Sequence, residues 1–200
     1  MPFAQRSGSG PWARTIVTID PIRARASLIF GKRPGRRAAL AVRHVQRRGS
    51  MEATIRQAGA ADGEAVVRLV SALLAELGGR SLDAVRSREV FARLVRDPDA
   101  GFVSLAETAE GAIGVCTVSH AIALRSLGRY SIVQETYVVP AARASSVGTQ
   151  LVTHALGAAT QGGSRFVELG TPPGGERQIA FYVRMGFLVV GERLRWHPAS

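Results

Sequence analysis

Glu135-Thr-Tyr-Val-Val-Pro-Ala-Ala-Arg-Ala-Ser-Ser-Val-Gly-Thr-Gln-Leu151 is the stretch from which the rest of the chain is read. Tyr130 to Val139 is rich in β-branched and aromatic residues, which fit a pleated, buried surface, and predicts a strand. Pro140 has no N–H to give a ladder and stops it. Ala141 to Ser146 is a short linker of small residues around one cation, Arg143. From Val147 the apolar positions Val147, Leu151, Ala155 and Ala159 are four apart and predict a helix. The free N–H groups and macrodipole of a helix start, beside Arg143, suit a phosphate or pyrophosphate. An ordinary strand-to-helix connection with an exposed arginine is the other reading, and the residues alone leave both open.

The chain has 200 residues, enough for one domain with a substantial core. Hydrophobic content of 46% and charged content of 20% fit a globular protein. No apolar run reaches the length of a membrane span, so no membrane association is expected. The single cysteine, Cys116, excludes an internal disulfide and lies in an apolar strand, where it reads as buried filler. The net charge of +11 belongs to one end of the molecule. Residues 1–50 carry eleven Lys and Arg against one acid, Asp20, whereas residues 51–200 carry fifteen bases and fourteen acids.

Residues 1–50 show no clear period and do not read as a folded domain. A disordered basic arm touching nucleic acid or lipid, a targeting peptide, a helical extension through Ala38–Val42, and a mistaken gene start are the four readings. The expectation is a basic extension upstream of a true start at Met51, and a single domain over residues 51–200.

From there the pattern predicts a strand at Glu52–Gln57, with Ala53 and Ile55 on one face. A helix follows, with Asp62 as N-cap and a stripe of Val66, Leu69, Val70, Leu73 and Leu74, ending at Gly78-Gly79. A second helix spans Ser81–Arg96, with Leu82, Val85, Val90, Phe91, Leu94 and Val95 expected to be buried. Strands at Phe102–Thr108 and Ala112–Ala123 meet at Glu110-Gly111, and Leu127-Gly128-Arg129 turns into the central strand. After the main helix come a strand at Phe166–Leu169, a loop at Thr171–Gly175, a helix at Gln178–Met185 and a last strand at Phe187–Trp196. The order β-α-α-β-β-β-α-β-α-β implies an α+β fold, a mixed sheet flanked by helices.

Val138-Val139-Pro140, Arg143, Ser146 and Gly148 resemble the acyl-CoA motif of the GNAT superfamily of N-acyltransferases, Arg/Gln-x-x-Gly-x-Gly/Ala after a strand ending Val-x-Pro. Phe181-Tyr182-Val-Arg-Met-Gly186-Phe187 resembles that family's second landmark, Tyr-x-x-x-Gly-Phe. The similarity covers about residues 52–196 and implies the GNAT-like acyl-CoA N-acyltransferase fold. It implies acetyl-CoA as co-substrate, without a metal. Its pyrophosphate would lie on Arg143, Ala144, Ser145, Ser146, Val147, Gly148 and Thr149, and its amide arm on the backbones of Val138 and Val139. Tyr182 is expected to protonate the departing thiolate. Glu135, a charge within an apolar strand, is expected to be the base or an amine-binding acid; a structural carboxylate paired with Arg129 is the other reading, and water is a second candidate base. The sequence departs from the family at three places. Ser146 replaces the first glycine and resists positive φ, Gly175 stands where asparagine is frequent, and Gln134 stands where an acid is common.

The expected activity is transfer of acetyl from acetyl-CoA to the primary amine of a small molecule. The acceptor would be shaped by Glu76–Asp83 and by Ala123–Arg129. His120 and His154 lack a metal partner at ligand spacing and read as packing residues; Glu168 is a weaker candidate acid. A cytoplasmic location is expected, and a homodimer is left open. Nucleic acid is not an expected partner unless residues 1–50 are genuine. The rival readings are a non-catalytic acyl-CoA sensor or pseudoenzyme, and a nucleic-acid-associated protein built on the basic arm.

Overall fold

The computed structural model describes residues 52–79 and 81–191. The expectations for residues 1–50, for a start at Met51 and for the strand beyond residue 191 lie outside the described residues. Five strands form one sheet in the order β1-β2-β3-β4-β5: β1 Thr54–Gln57, β2 Gly101–Thr108, β3 Gly111–Ala123, β4 Gly128–Val138 and β5 Val167–Leu169. The first four are antiparallel neighbours, and β5 runs parallel to β4. The mixed sheet expected from the element order is therefore present.

Helices α1 (Gly63–Glu76) and α2 (Ala84–Arg96) cover one face. Val66, Leu69, Val70 and Phe91 pack there against Val103, Leu105, Val115 and Tyr137. Helix α3 (Val147–Gln161) covers the other face, where Val147, Leu151, Ala155 and Ala159 meet Phe102, Cys116, Val118 and Val133. The four-residue spacing read in the sequence is thus the buried stripe of α3. Ala53 and Ile55 pack on this second cluster together, as their alternation requires.

Several local expectations change. Asp62 stands at the N-cap of α1, but its carboxylate turns back to Gly59 N–H and to the two Nη atoms of Arg56 instead of capping. Helix α2 starts later than Ser81, because Asp83 accepts from the Val85 and Arg86 N–H groups and fixes the first turn. Val85 and Val90 are 61% and 62% exposed, so only part of the apolar set of α2 reaches the sheet. Phe187–Val190 forms no strand.

Helix α4 (Glu176–Arg184) ends as its glycine predicts. Gly186 takes φ 94°, its N–H bonds Val183 O at 3.0 Å, and Phe187 N–H bonds Tyr182 O at 3.0 Å. A residue with a Cβ would be strained at that φ.

Candidate active site

Strand β4 carries an irregularity that positions its charge. Thr117 pairs with Glu135, yet the next pair is Val118 with Val133, so Gln134 is an extra residue in β4. One extra residue inverts the alternation of faces. Val133 consequently packs with α3, while Glu135 and Tyr137 turn to the α1–α2 side. Thr117 faces Glu135 across the ladder and donates its hydroxyl to Glu135 Oε2, and Glu135 N–H returns a bond to Thr117 Oγ1 at 3.2 Å. The suggested Glu135–Arg129 pair does not form, because Arg129 pairs with Asp99 and donates to Gly162 O.

Glu135 and Thr117 line a cavity of about 350 Å³ between α1, α2 and the sheet. Leu82 and Asp83, from the segment expected to shape the acceptor, line it too. None of Ala123–Arg129 does.

The next residue of β4, Thr136, pairs with Cys116 on the α3 side and donates to its sulfur at 3.7 Å. Tyr182 of α4 lies beside this pair. Burial pushes its hydroxyl above the ordinary tyrosine range, partly offset by the contact with Thr136. The ring is held edge-on between Phe181 and Phe187, with centroids 5.0 and 5.5 Å away. Burial also pushes the Cys116 thiol up to about 12, which agrees with filler and not with a nucleophile. At Gly175 a Cβ would meet Pro172 O at 2.8 Å, so this turn excludes the family's asparagine side chain without a shift.

Beyond Val133 and Leu169 the parallel pairing of β4 with β5 ends, and the far side of β4 is open. Val138 pairs with Gly114 while Val139 N–H bonds Ile113 O, a register that turns the Val138 amide and carbonyl to the open side. Val139 is fully engaged, since its carbonyl accepts from Ala142 N–H. At the start of α3, Ser145 Oγ accepts from Val147 N–H. The N–H groups of Gly148 and Thr149 have no acceptor among the described residues. An added Cβ at Gly148 would come no nearer than 3.8 Å to its neighbours, so the approach to these amides is uncrowded. Ser146 sits in the right-handed region at φ −77°, and the positive φ of the loop falls on Ala144, at 63°. Serine is therefore unstrained where the family has glycine.

The Arg143 side chain turns away from this helix start. Its Nη2 bonds both oxygens of Glu76 at 2.7 and 2.8 Å, its Nε donates to Val138 O at 2.8 Å, and its head lies 5.2 Å from the centre of the Tyr137 ring. Tyr137 donates to the same Glu76 carboxylate. Arg143 holds the Glu76 carboxyl below its ordinary range.

His120 bonds Ser131 Oγ and His154 bonds Ser104 Oγ, both at 2.9 Å, in keeping with packing roles. Glu168 is tied to Arg125 at 3.0 Å. No group of three or more metal-ligating side chains occurs among the described residues. Thr117 and Thr136 were missed by sequence reading, as was the pairing of Glu76, expected on the acceptor side, with Arg143 and Tyr137. Each is unremarkable in sequence and gains its place only through strand register or a contact across elements.

A mixed sheet that opens beside a helix start with unpaired amides is a place for an extended ligand that carries a phosphate or pyrophosphate. The model of the acetyltransferase (GNAT) family matches residues 68–187, and the chain belongs to that family. It is therefore an acyl-CoA-dependent acetyltransferase, and the family implies acetyl-CoA as co-substrate. No curated protein matches the chain. Among solved structures, a transcriptional regulator from Bacillus halodurans C-125 is 25% identical, with a TM-score of 0.64 over 73% of this chain and 99% of that one. An integron cassette protein from the mobile metagenome of Cole Harbour Salt Marsh is 23% identical, with a TM-score of 0.64 over 73% and 90%. An aminoglycoside acetyltransferase from an uncultured soil metagenomic sample is 13% identical, with a TM-score of 0.61 over 74% and 96%.

Proposed function

We propose that the chain acetylates the primary amine of a small molecule by direct attack on acetyl-CoA. The observation that carries this reading is the placement of two proton-handling groups, one on β4 and one on α4, at neighbouring positions of β4. Glu135 faces the cavity under α1 and α2, and Tyr182 reaches Thr136 on the opposite face. Both lie where β4 has lost its partner β5. An amine entering from the cavity and a thioester entering from the open edge would meet there.

Val138 would bind the amide arm through its backbone N–H, its carbonyl being held by Arg143 Nε, and the Gly148 and Thr149 amides would hold the pyrophosphate. When bound, acetyl-CoA supplies an activated carbonyl carbon. Glu135, or a water that it holds, takes a proton from the amine nitrogen as the C–N bond forms. Tyr182 gives its proton to the sulfur as the C–S bond breaks. Thr117 holds one oxygen of Glu135 and leaves the other for the amine.

The test is thiol release with acetyl-CoA across a broad amine panel, with product identified by mass. Tight acetyl-CoA binding without thiol release for any amine would make the chain an acyl-CoA sensor instead.

A further inference from the structure

The geometry points to an acceptor that is a monoamine with an apolar body, not a polyamine or an aminoglycoside. This inference rests on the acceptor reading of the same cavity. Most of its wall is apolar, through Val66, Val70, Leu82, Phe91, Leu94 and Val103. Its polar lining is accounted for group by group. Asp83 gives one oxygen to the start of α2 and keeps the other, but Arg86 brings a positive charge to the same wall, so the three charged groups of the lining, Asp83, Arg86 and Glu135, sum to one negative charge. Thr117 is committed to Glu135, and Ser87 is neutral. Glu135 is the carboxylate at the sheet end of the cavity that receives an ammonium or amine, and Arg86 balances Asp83.

A second ammonium would therefore find no second unbalanced negative charge among these walls and would lie beside the like charge of Arg86. An alkyl or aryl group loses nothing there and gains by leaving water. At the packing density of protein interiors, 350 Å³ accommodates on the order of a dozen heavy atoms. That is an amine of about the size of a phenylpentyl or undecyl chain.

The experiment uses the full chain with saturating acetyl-CoA and linear amines from butylamine to dodecylamine. Each methylene should raise kcat/KM by about three- to four-fold until the cavity is filled. Hexane-1,6-diamine has the heavy-atom count of heptylamine but ends in a second ammonium, and should be about 100-fold or more worse. Ser87→Leu, which narrows the cavity, should shorten the chain length at which the gain stops. A diamine as good as heptylamine would overturn the inference while leaving acetyl transfer intact. Should no amine release thiol, the transfer reading fails, and calorimetry of heptylamine against the diamine in the presence of CoA decides the cavity's preference. Tighter heptylamine binding upholds it; equal or absent binding of both overturns it.

Discussion

Burial keeps the Tyr182 hydroxyl protonated to higher pH than a tyrosine in water. A group raised in this way remains a donor through neutral pH and loses that role only above the ordinary tyrosine range. The alkaline limb of kcat assigned to Tyr182 should accordingly lie above about pH 10. Tyr182→Phe keeps the ring between Phe181 and Phe187 and removes the donor. It should lower kcat by about 10²–10⁴-fold, abolish that limb, and leave acetyl-CoA affinity unchanged in calorimetry. Arg143 illustrates a different case. Any phosphate it takes must compete with Glu76, so Arg143→Ala should weaken CoA binding toward the lower end of about 1.5–3 kcal/mol, with no loss for dephosphorylated pantetheine. Equal losses for both ligands would show that Arg143 acts by tying the loop to α1. Glu135 was legible as a charge in an apolar run, but its direction was not. That depends on Gln134 being an extra residue, which only the pairing with β3 reveals.

At the scale of elements, the amphipathic helices and the hairpin were readable because their periods and turn residues are local. Val147, Leu151, Ala155 and Ala159 are buried as their spacing implied. Where reading failed, tertiary context decided. Val85 and Val90 have the chemistry of core residues but fall off the Phe91 face of α2, the one that packs on the sheet. Phe187–Val190 is β-rich in composition, yet a strand needs a partner edge that composition does not supply. The Asp83 cap makes α2 a test of how an element supports the cavity. Asp83→Ala should cost about 1 kcal/mol and lower Tm by about 2–4 °C, measured by thermal unfolding. A larger loss would mean that Asp83 also organises the cavity wall.

Across the whole molecule, Arg56 of β1 joins Glu107 of β2 to Asp62 before α1. Arg56 holds both carboxyls below their ordinary range. Groups depressed in the folded state stabilise it above the unfolded carboxylate range, near about pH 4, and lose that contribution as pH falls through their lowered values. Tm should therefore fall on acidification below about pH 4, and the fall should be shallower in Arg56→Met. An unchanged slope would place the acid sensitivity elsewhere, the Glu76–Arg143 pair being the next candidate.

Helix α4 has no buried residue, although Tyr182 rides on it. The edge-on contacts among its rings Phe181 and Tyr182 and Phe187, and its glycine cap, tie the helix to its own exit, not to the sheet. Amide hydrogen exchange should find α4 opening at a fraction of the free energy that protects α3, in an event separate from global unfolding. A ligand lodged against Tyr182 would slow exchange along that helix, so ordering of α4 and engagement of the thioester side would register as one signal.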